Sequence, residues 1–276
     1  SRYISFYTSS FSIGAALSYF AGGAIGAELG WRWAAGLGAV GAFAASAGVA
    51  LLVRDGASRP DPTAARMPLF DFRPVLRARA TMSYVLGYTA HMFELFALRG
   101  WLVAFLVFAQ PGPATVATYA SATLLAAVVN LLGLPASVAG NELALRYGRR
   151  RVVLTIMLLS CLAACGVGFA SGLSFGLAAT AMALYGVLVT GDSAGLTAGA
   201  IANAPEGRRG ATMAVHSTMG FGAGVLGSVA VGAALDAVGG MSVAGWGAAF
   251  AFVGLATALG PIALYFLGRG QPDKAA

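Results

Sequence analysis

The chain has 276 residues, of which 58% are hydrophobic and only 10% are charged, and its formal net charge is +7. This composition excludes an ordinary soluble domain and predicts an all-α membrane protein, because its repeated apolar runs of about 20 residues are long enough to cross a bilayer as helices. The basic residues stand in short clusters between these runs, so orientation in a lipid bilayer explains them and binding to nucleic acid is not predicted.

Hydropathy predicts eight transmembrane helices, and the basic residues predict their orientation. Of the 17 Lys and Arg residues, 15 lie in the terminal segments and in alternate connections, the exceptions being Arg32 and Arg99. By the positive-inside rule, this alternation places both ends of the chain in the cytoplasm. The predicted spans are residues 4–27, 33–53, 82–108, 115–139, 152–171, 175–200, 212–235 and 244–267.

The longest connection divides the chain. Residues 54–81 mix Arg and Asp with four prolines, which predicts a linker on the cytoplasmic membrane face. The linker separates a two-helix unit, residues 1–53, from a six-helix bundle, residues 82–268, and residues 269–276 form a predicted cytoplasmic tail. Because the chain does not begin with Met and an apolar run starts almost at once, we expect further helices before it.

The third predicted span carries three ionisable residues near its middle, His91, Glu94 and Arg99. At 100° per residue they lie within an arc of about 140°, which also holds Tyr88. A charge at mid-bilayer costs roughly 2.5 to 3.5 kcal/mol on insertion scales, so such residues usually mark an ion or substrate path. The alternative is a structural network in which Glu94 pairs with an Arg or His and fixes helix packing.

Other polar residues within the predicted spans are further candidates. Asp192, which follows a glycine, suits ion or proton handling, or it accepts hydrogen bonds near a cytoplasmic helix end. Asn130 and His216 are weaker, because a single polar residue in a span more often bonds across helices than binds substrate. No Cys and His spacing typical of a metal site occurs, so neither a metal nor another cofactor is predicted. The motif GDSAG at residues 191–195 lacks the strand, turn and helix of a nucleophile elbow, and an enzyme is not predicted.

A loose internal repeat relates the first span to the seventh. Four positions of small residues correspond at an offset of 209 residues: Gly14 with Ala223, Ser18 with Gly227, Gly22 with Val231 and Gly23 with Gly232. Repeats of this kind build many secondary transporters, with the substrate site between the halves, and small residues four apart let helices approach closely. We therefore predict helix-packing roles for Gly14, Gly22, Gly23, Gly227 and Gly232.

The segment NELALRYGRRR at residues 141–151 resembles the signature loop of the major facilitator superfamily, GxLaDRxGRR. Asn141 and Leu145 depart from the pattern at its first Gly and its Asp, while the positions that match are Arg146, Gly148, Arg149 and Arg150. The first span is similar to the family's fifth-helix motif, GxxxGPxxGG, at Gly14, Gly22 and Gly23. The sequence GWRW at residues 30–33 is typical of the start of the family's sixth helix.

This resemblance covers the whole chain and implies helices five to twelve of a twelve-helix major facilitator fold. It implies a transporter of a small solute that works by alternating access, in a bacterial cytoplasmic membrane, with a gating loop formed by Arg146, Gly148, Arg149 and Arg150. A non-transporting membrane sensor and an inactive truncated fragment are the alternatives.

No ATP site is visible, so we expect protons or another ion to drive transport. Glu94 is then the expected proton acceptor and His91 its relay, and Tyr88, Asn130 and Asp192 are expected to lie on the same pathway. Arg99 is expected either to attract an anionic substrate or to pair with Glu94.

Overall fold

The structure is a computed structural model that describes residues 2–53 and 70–270. Within these ranges all regular structure is helical, and eight helical segments are long and apolar enough to cross a membrane, which confirms the predicted fold class. The helices are α1 (Arg2–Leu29), α2 (Trp31–Leu52), α3 (Arg73–Arg77), α4 (Arg79–Ala109), α5 (Val116–Tyr147), α6 (Arg149–Val167) followed by a 3₁₀ turn (Gly168–Gly172), α7 (Phe175–Gly191), α8 (Ser193–Ala202), α9 (Arg209–Ala237), α10 (Val243–Thr257) and α11 (Leu259–Gly268).

Helix α5 extends well past the predicted span of residues 115–139. α5 continues to Tyr147, so most of the predicted connection at residues 140–151 is helical, as expected for a segment rich in Glu, Leu, Ala and Arg. Gly148 interrupts the helix with a φ of +93°, a backbone conformation that favours glycine, and α6 begins at the next residue.

The linker differs in part from its prediction. α4 begins at Arg79, so residues 79–81 belong to this helix and not to the linker. α3 is a short helix within the predicted linker, and its Val75 is buried. The rest of the linker, residues 54–69, and most of the predicted tail, residues 271–276, lie outside the described residues.

Two spans that were predicted as continuous are broken. The span from Phe175 is interrupted at Asp192, where Gly and Asp, both poor helix formers, stand side by side. The last span is interrupted at Ala258. Pro261 explains this second break, because it has no amide hydrogen to donate to the carbonyl group of Thr257 four residues earlier.

α4 is the central helix of the part of the chain that the structure describes. It packs against α5, α7, α8, α9, α10 and α11, and its apolar residues point to all sides, as expected for a helix surrounded by others. At one end of the core, Phe105 of α4 contacts Trp246 and Phe250 edge to face. Any polar residue in the middle of α4 is therefore held against a neighbouring helix.

The first two helices are less buried among the described residues than the other six spans. α1 packs along α5 and also contacts α8, whereas no residue of α2 is buried among the described residues. α2 exposes large apolar side chains such as Phe43 and Leu51. An exposed apolar helix is stable in contact with lipid tails, so this surface agrees with a membrane protein.

Candidate functional site

A cavity of about 260 Å³ lies between α1, α4, α8 and α9. Its walls combine aromatic and Met side chains with hydroxyl groups and two imidazole rings. α1 comes from the predicted two-helix unit and the other three helices from the predicted six-helix bundle, so the cavity lies between the two units. Its lining residues are Ser10, Phe11, Tyr88, His91, Met92, Leu95, Ser193, Thr197, Met213, His216, Ser217 and Phe221.

His91 connects this cavity with a buried carboxyl group. Its Nδ1 atom lies 2.8 Å from Oδ1 of Asp192, and the two side chains are 1% and 2% exposed. Asp192 stands at the break between α7 and α8, and the preceding carbonyl group, of Gly191, contacts Gly140 of α5. This close approach of two glycines holds the break inside the bundle, where a buried charged group is stable only beside a partner.

Glu94 lies on the same helix as His91 but faces α6 and α7. Its Oε1 atom accepts a 2.7 Å hydrogen bond from Oγ of Ser160, and the Tyr185 hydroxyl group lies beside it. Glu94 is 1% exposed, does not line the cavity, and interacts electrostatically with Asp192 and His91. We call these five residues, His91, Glu94, Ser160, Tyr185 and Asp192, the carboxylate cluster.

A second imidazole lies on the other side of Tyr88. The rings of Tyr88 and His216 stack with centroids 3.6 Å apart, and Tyr88 also stacks on His91 at 5.7 Å. His216 is buried, and its Nε2 atom lies 3.4 Å from the Thr197 hydroxyl oxygen. From the sequence, His216 is a weaker candidate because a single polar residue in a span more often bonds across helices than binds substrate. Its contacts, Tyr88 and Thr197, do come from other helices.

Arg99 lies apart from the carboxylate cluster. Its Nε atom donates a 2.8 Å hydrogen bond to Oδ1 of Asn130 on α5, and the Phe11 ring covers the guanidinium group at 4.7 Å. Of the two roles expected for Arg99, the structure does not show the pairing with Glu94, because the guanidinium group bonds to Asn130 instead. Five residues along a helix separate two side chains by about 140° in direction and about 7.5 Å in height.

The residues of the predicted gating loop lie away from the cavity. Arg146 is exposed and stacks on Tyr147, whereas Arg149 is only 4% exposed. The Arg150 guanidinium group packs against Gly268, where an added Cβ would come within 2.7 Å of its Nε atom. The loop thus joins the start of α6 to the end of α11.

The predicted packing glycines of α9 are in close contact with α4. A Cβ at Gly227 would collide with the backbone carbonyl group of Phe93. One at Gly232 would come within 3.0 Å of the Trp101 ring. The Trp101 indole nitrogen also donates a 2.8 Å hydrogen bond to the Ser228 carbonyl oxygen, so small residues and hydrogen bonds together hold the two helices.

The predicted packing glycines of α1 differ among themselves. Gly23 lies directly against Thr123 of α5, and an added Cβ would collide with that side chain. At Gly14 and Gly22, by contrast, no atom of the described residues lies within 4 Å of the position that a Cβ would take. The packing role of these two glycines stays a prediction.

In the described ranges, no group of three or more His, Cys, Asp or Glu side chains is arranged to hold a metal ion. The chain was also compared with known proteins. The family model of the Major Facilitator Superfamily matches residues 1–228 and again residues 112–276, which together cover the whole chain. None of the curated proteins that were compared with the chain matches it.

Proposed function

Because the chain belongs to the major facilitator superfamily, a family of integral membrane transporters, we propose that it moves a small solute by alternating access and couples this movement to protons. The observation that supports coupling is the contact between His91, which lines the cavity, and Asp192, which does not. A proton that enters or leaves this pair changes the charge at the cavity wall. In this proposal the solute in the cavity and the proton on the pair both act on His91.

Charge compensation gives a physical reason for the coupling. With both carboxyl groups of the cluster ionised and His91 neutral, the net charge is negative, and two added protons make the cluster neutral. Uncompensated charge in a water-free protein interior is costly, so a neutral cluster favours the closed state through which the transporter passes between its two open states. The number of bound protons then controls the conformational step.

The cavity suits a small solute with apolar and hydrogen-bonding parts. Its volume is slightly below the range of about 300 to 1,000 Å³ that is typical of small-molecule sites. Phe11 and Phe221 supply apolar surface, and Ser193 and Thr197 supply hydroxyl groups. In this proposal, movement of residues 1–53 against residues 82–268 opens the cavity to either side, as in transporters built from repeats.

The gating loop is proposed to act in this movement and not in solute binding. Arg149 and Arg150 begin α6, and Arg150 contacts the end of α11. The loop therefore connects α6 and α11 at a point where a change in their packing would accompany the movement of the bundle. Arg149→Ala is expected to lower the transport rate while the apparent solute affinity stays within a few-fold. Initial rates of uptake into proteoliposomes over a range of solute concentrations separate the two effects.

We further propose a bacterial cytoplasmic membrane as the location, with both ends of this chain in the cytoplasm, from the distribution of basic residues. Single cysteines replacing Glu206 and Gly112, in a background without Cys161 and Cys165, test the orientation. A membrane-impermeant maleimide should label Gly112→Cys in intact cells and Glu206→Cys only after the cells are opened. Labelling of both in intact cells contradicts the proposed orientation.

Uphill uptake into proteoliposomes tests proton coupling. The full chain would be reconstituted with a pH-sensitive dye inside and screened with small organic anions and hydrophobic cations, beginning with benzoate and ethidium. We expect a transported probe to accumulate against its own gradient only when a pH gradient is imposed, with a matching dye signal. Accumulation of the probe that does not depend on the pH gradient would refute proton coupling. Binding of the probe without transport across the membrane would favour a sensor.

Glu94→Gln sharpens this test because glutamine keeps the shape of the side chain and mimics the protonated acid. The variant is expected to lose uphill uptake and to keep exchange of solute down its own gradient. Glu206→Gln, at an exposed position outside the spans, is the matched control and should keep both activities. Full uphill uptake by the Glu94→Gln variant would remove Glu94 as the proton carrier, and Asp192 would be tested next.

A further inference from the structure

Arg99 is a largely buried cation to which the described residues supply no carboxylate partner. His91 pairs with Asp192 and Arg208 with Asp71, but no acidic side chain in the described ranges lies within 4.0 Å of the Arg99 guanidinium nitrogens. Among the described residues, the side chain that accepts a hydrogen bond from Arg99 is that of Asn130, which is neutral. The buried Nη1 atom of Arg99 has no hydrogen-bond partner in the described ranges. A buried guanidinium group without a counter-charge is costly, so an anion would stabilise it.

A small cavity of about 20 Å³ adjoins this guanidinium group. Its described lining contains Arg99, four residues with hydroxyl groups and two apolar residues, but no acidic residue; the six besides Arg99 are Ser12, Ser137, Thr190, Ser193, Phe11 and Leu95. Ser137 is only 3% exposed, and its hydroxyl group has no partner among the described residues. Two of the lining residues, Ser137 and Arg99, thus each carry a buried donor atom without a partner in the described ranges, and the space holds one particle about the size of a water molecule.

Phe11 lines this space as well as the main cavity. Its ring covers the Arg99 guanidinium group at 4.7 Å. Phe11 belongs to α1, whereas Arg99 belongs to α4, so a relative movement of these two helices would uncover the guanidinium group from the side of the main cavity.

We propose that Arg99 and Ser137 bind a small anionic group in this cavity, either a halide ion or one oxygen atom of a carboxylate group. Arg99 provides the charge and an N–H donor, Ser137 provides a second donor, and Asn130 fixes the orientation of the guanidinium group through Nε. The anionic group comes from one of two sources, a free ion or a solute that reaches past Phe11 from the main cavity. This inference goes beyond the proposed function, because anion binding does not require proton coupling.

Thermal unfolding of the full chain in detergent tests the proposal. Sodium chloride, sodium bromide or sodium acetate would replace sodium isethionate, a bulky sulfonate without a carboxylate group, at constant ionic strength. A ligand that binds only the folded state raises the unfolding temperature in a saturable way. We expect such a rise, with an apparent affinity at least tenfold weaker in Arg99→Gln and three- to tenfold weaker in Ser137→Ala. Arg269→Gln, which alters an arginine at the far end of α11, is the control and should stay within twofold of the unmodified chain.

The anion series identifies the source. Stabilisation by the halides that depends on Arg99 supports a free ion, and stabilisation by acetate alone supports the carboxylate group of a solute. No anion effect on the unmodified chain, or an equal effect on Arg99→Gln, would overturn the proposal.

If Arg99→Gln does not fold, Arg99→Lys and Ser137→Ala take its place. Anomalous diffraction from crystals with bromide then locates the ion: bromide beside Arg99 supports the proposal, and bromide only at other positions overturns it. Failure of the anion site would leave proton-driven uptake unaffected, so the two proposals are tested separately.

Discussion

The central helix α4 carries two polar regions that differ in how their charge is compensated. Around Glu94 and His91, the protein provides its own partners, Asp192, Ser160 and Tyr185, on three neighbouring segments. Around Arg99, the described residues provide neutral groups only, the amide of Asn130 and several hydroxyl groups. We propose that the first region changes its charge during transport by binding and releasing protons, whereas the second keeps a charge that an external anion balances.

The comparison shows that nearness in sequence does not make two charges partners. Glu94 and Arg99 have opposite charges on one helix, yet they point in directions about 140° apart. Each therefore contacts different helices, α6 and α7 for Glu94 and α5 for Arg99. One helix can in this way hold an acidic region and a cationic region that do not neutralise each other.

Breaking the pair in the carboxylate cluster is expected to have the largest effect on stability. His91→Leu leaves Asp192 buried without its partner, and removing one member of a buried pair costs about 3 to 5 kcal/mol. Addition of Asp192→Asn to the same chain removes the unpaired charge and should restore part of the loss. Unfolding in mixed micelles of both single variants and the double variant measures this coupling, and strictly additive losses would show that the pair is not coupled.

Removal of one buried hydroxyl group from each region compares them directly. Ser160→Ala takes a donor from Glu94 and is expected to lower the free energy of unfolding by about 1.5 to 3 kcal/mol, the usual range for a hydrogen bond to a charged group. Ser137→Ala removes a hydroxyl group without a partner in the described ranges and should change the free energy of unfolding by less than about 0.5 kcal/mol in isethionate buffer. Equal losses in the two variants would contradict the difference between the regions.

Asn130→Asp is expected to make the Arg99 region resemble the carboxylate cluster. The new carboxylate group would accept the hydrogen bond from Arg99 Nε and supply the missing counter-charge, raising the free energy of unfolding by about 1 kcal/mol. The same change should abolish the stabilisation by chloride. Both effects are read from unfolding curves with and without chloride, and an unchanged chloride response would mean that the anion does not bind at Arg99.

Thr197→Val is expected to have a smaller effect than Ser160→Ala. The distance between its hydroxyl oxygen and His216 Nε2 is 3.4 Å, which is long for a hydrogen bond, so its loss should cost about 0.5 kcal/mol. The same unfolding assay measures this value. A loss as large as that of Ser160→Ala would instead place His216 within the tightly bonded carboxylate cluster.

Part of the candidate site was predictable from α4 alone. A His, a Glu and an Arg within one apolar run indicate a polar interior because lipid tails cannot solvate them, and this reasoning needs no knowledge of other helices. Their partners were not predictable. Asp192, Asn130 and Ser160 lie 31 to 101 residues from the α4 residues that they contact, and neither spacing nor periodicity within a helix carries information on such contacts.

The sequence by itself determined the eight spans and the family, because a backbone in lipid must satisfy its own hydrogen bonds as helices and because the loop motif before α6 is local. Only the tertiary structure decided where the spans break, which way α4 is rotated, and which neighbour each charged side chain meets. The physical reason is that hydropathy depends on each residue alone, whereas rotation and pairing depend on how the side chains of several helices pack together.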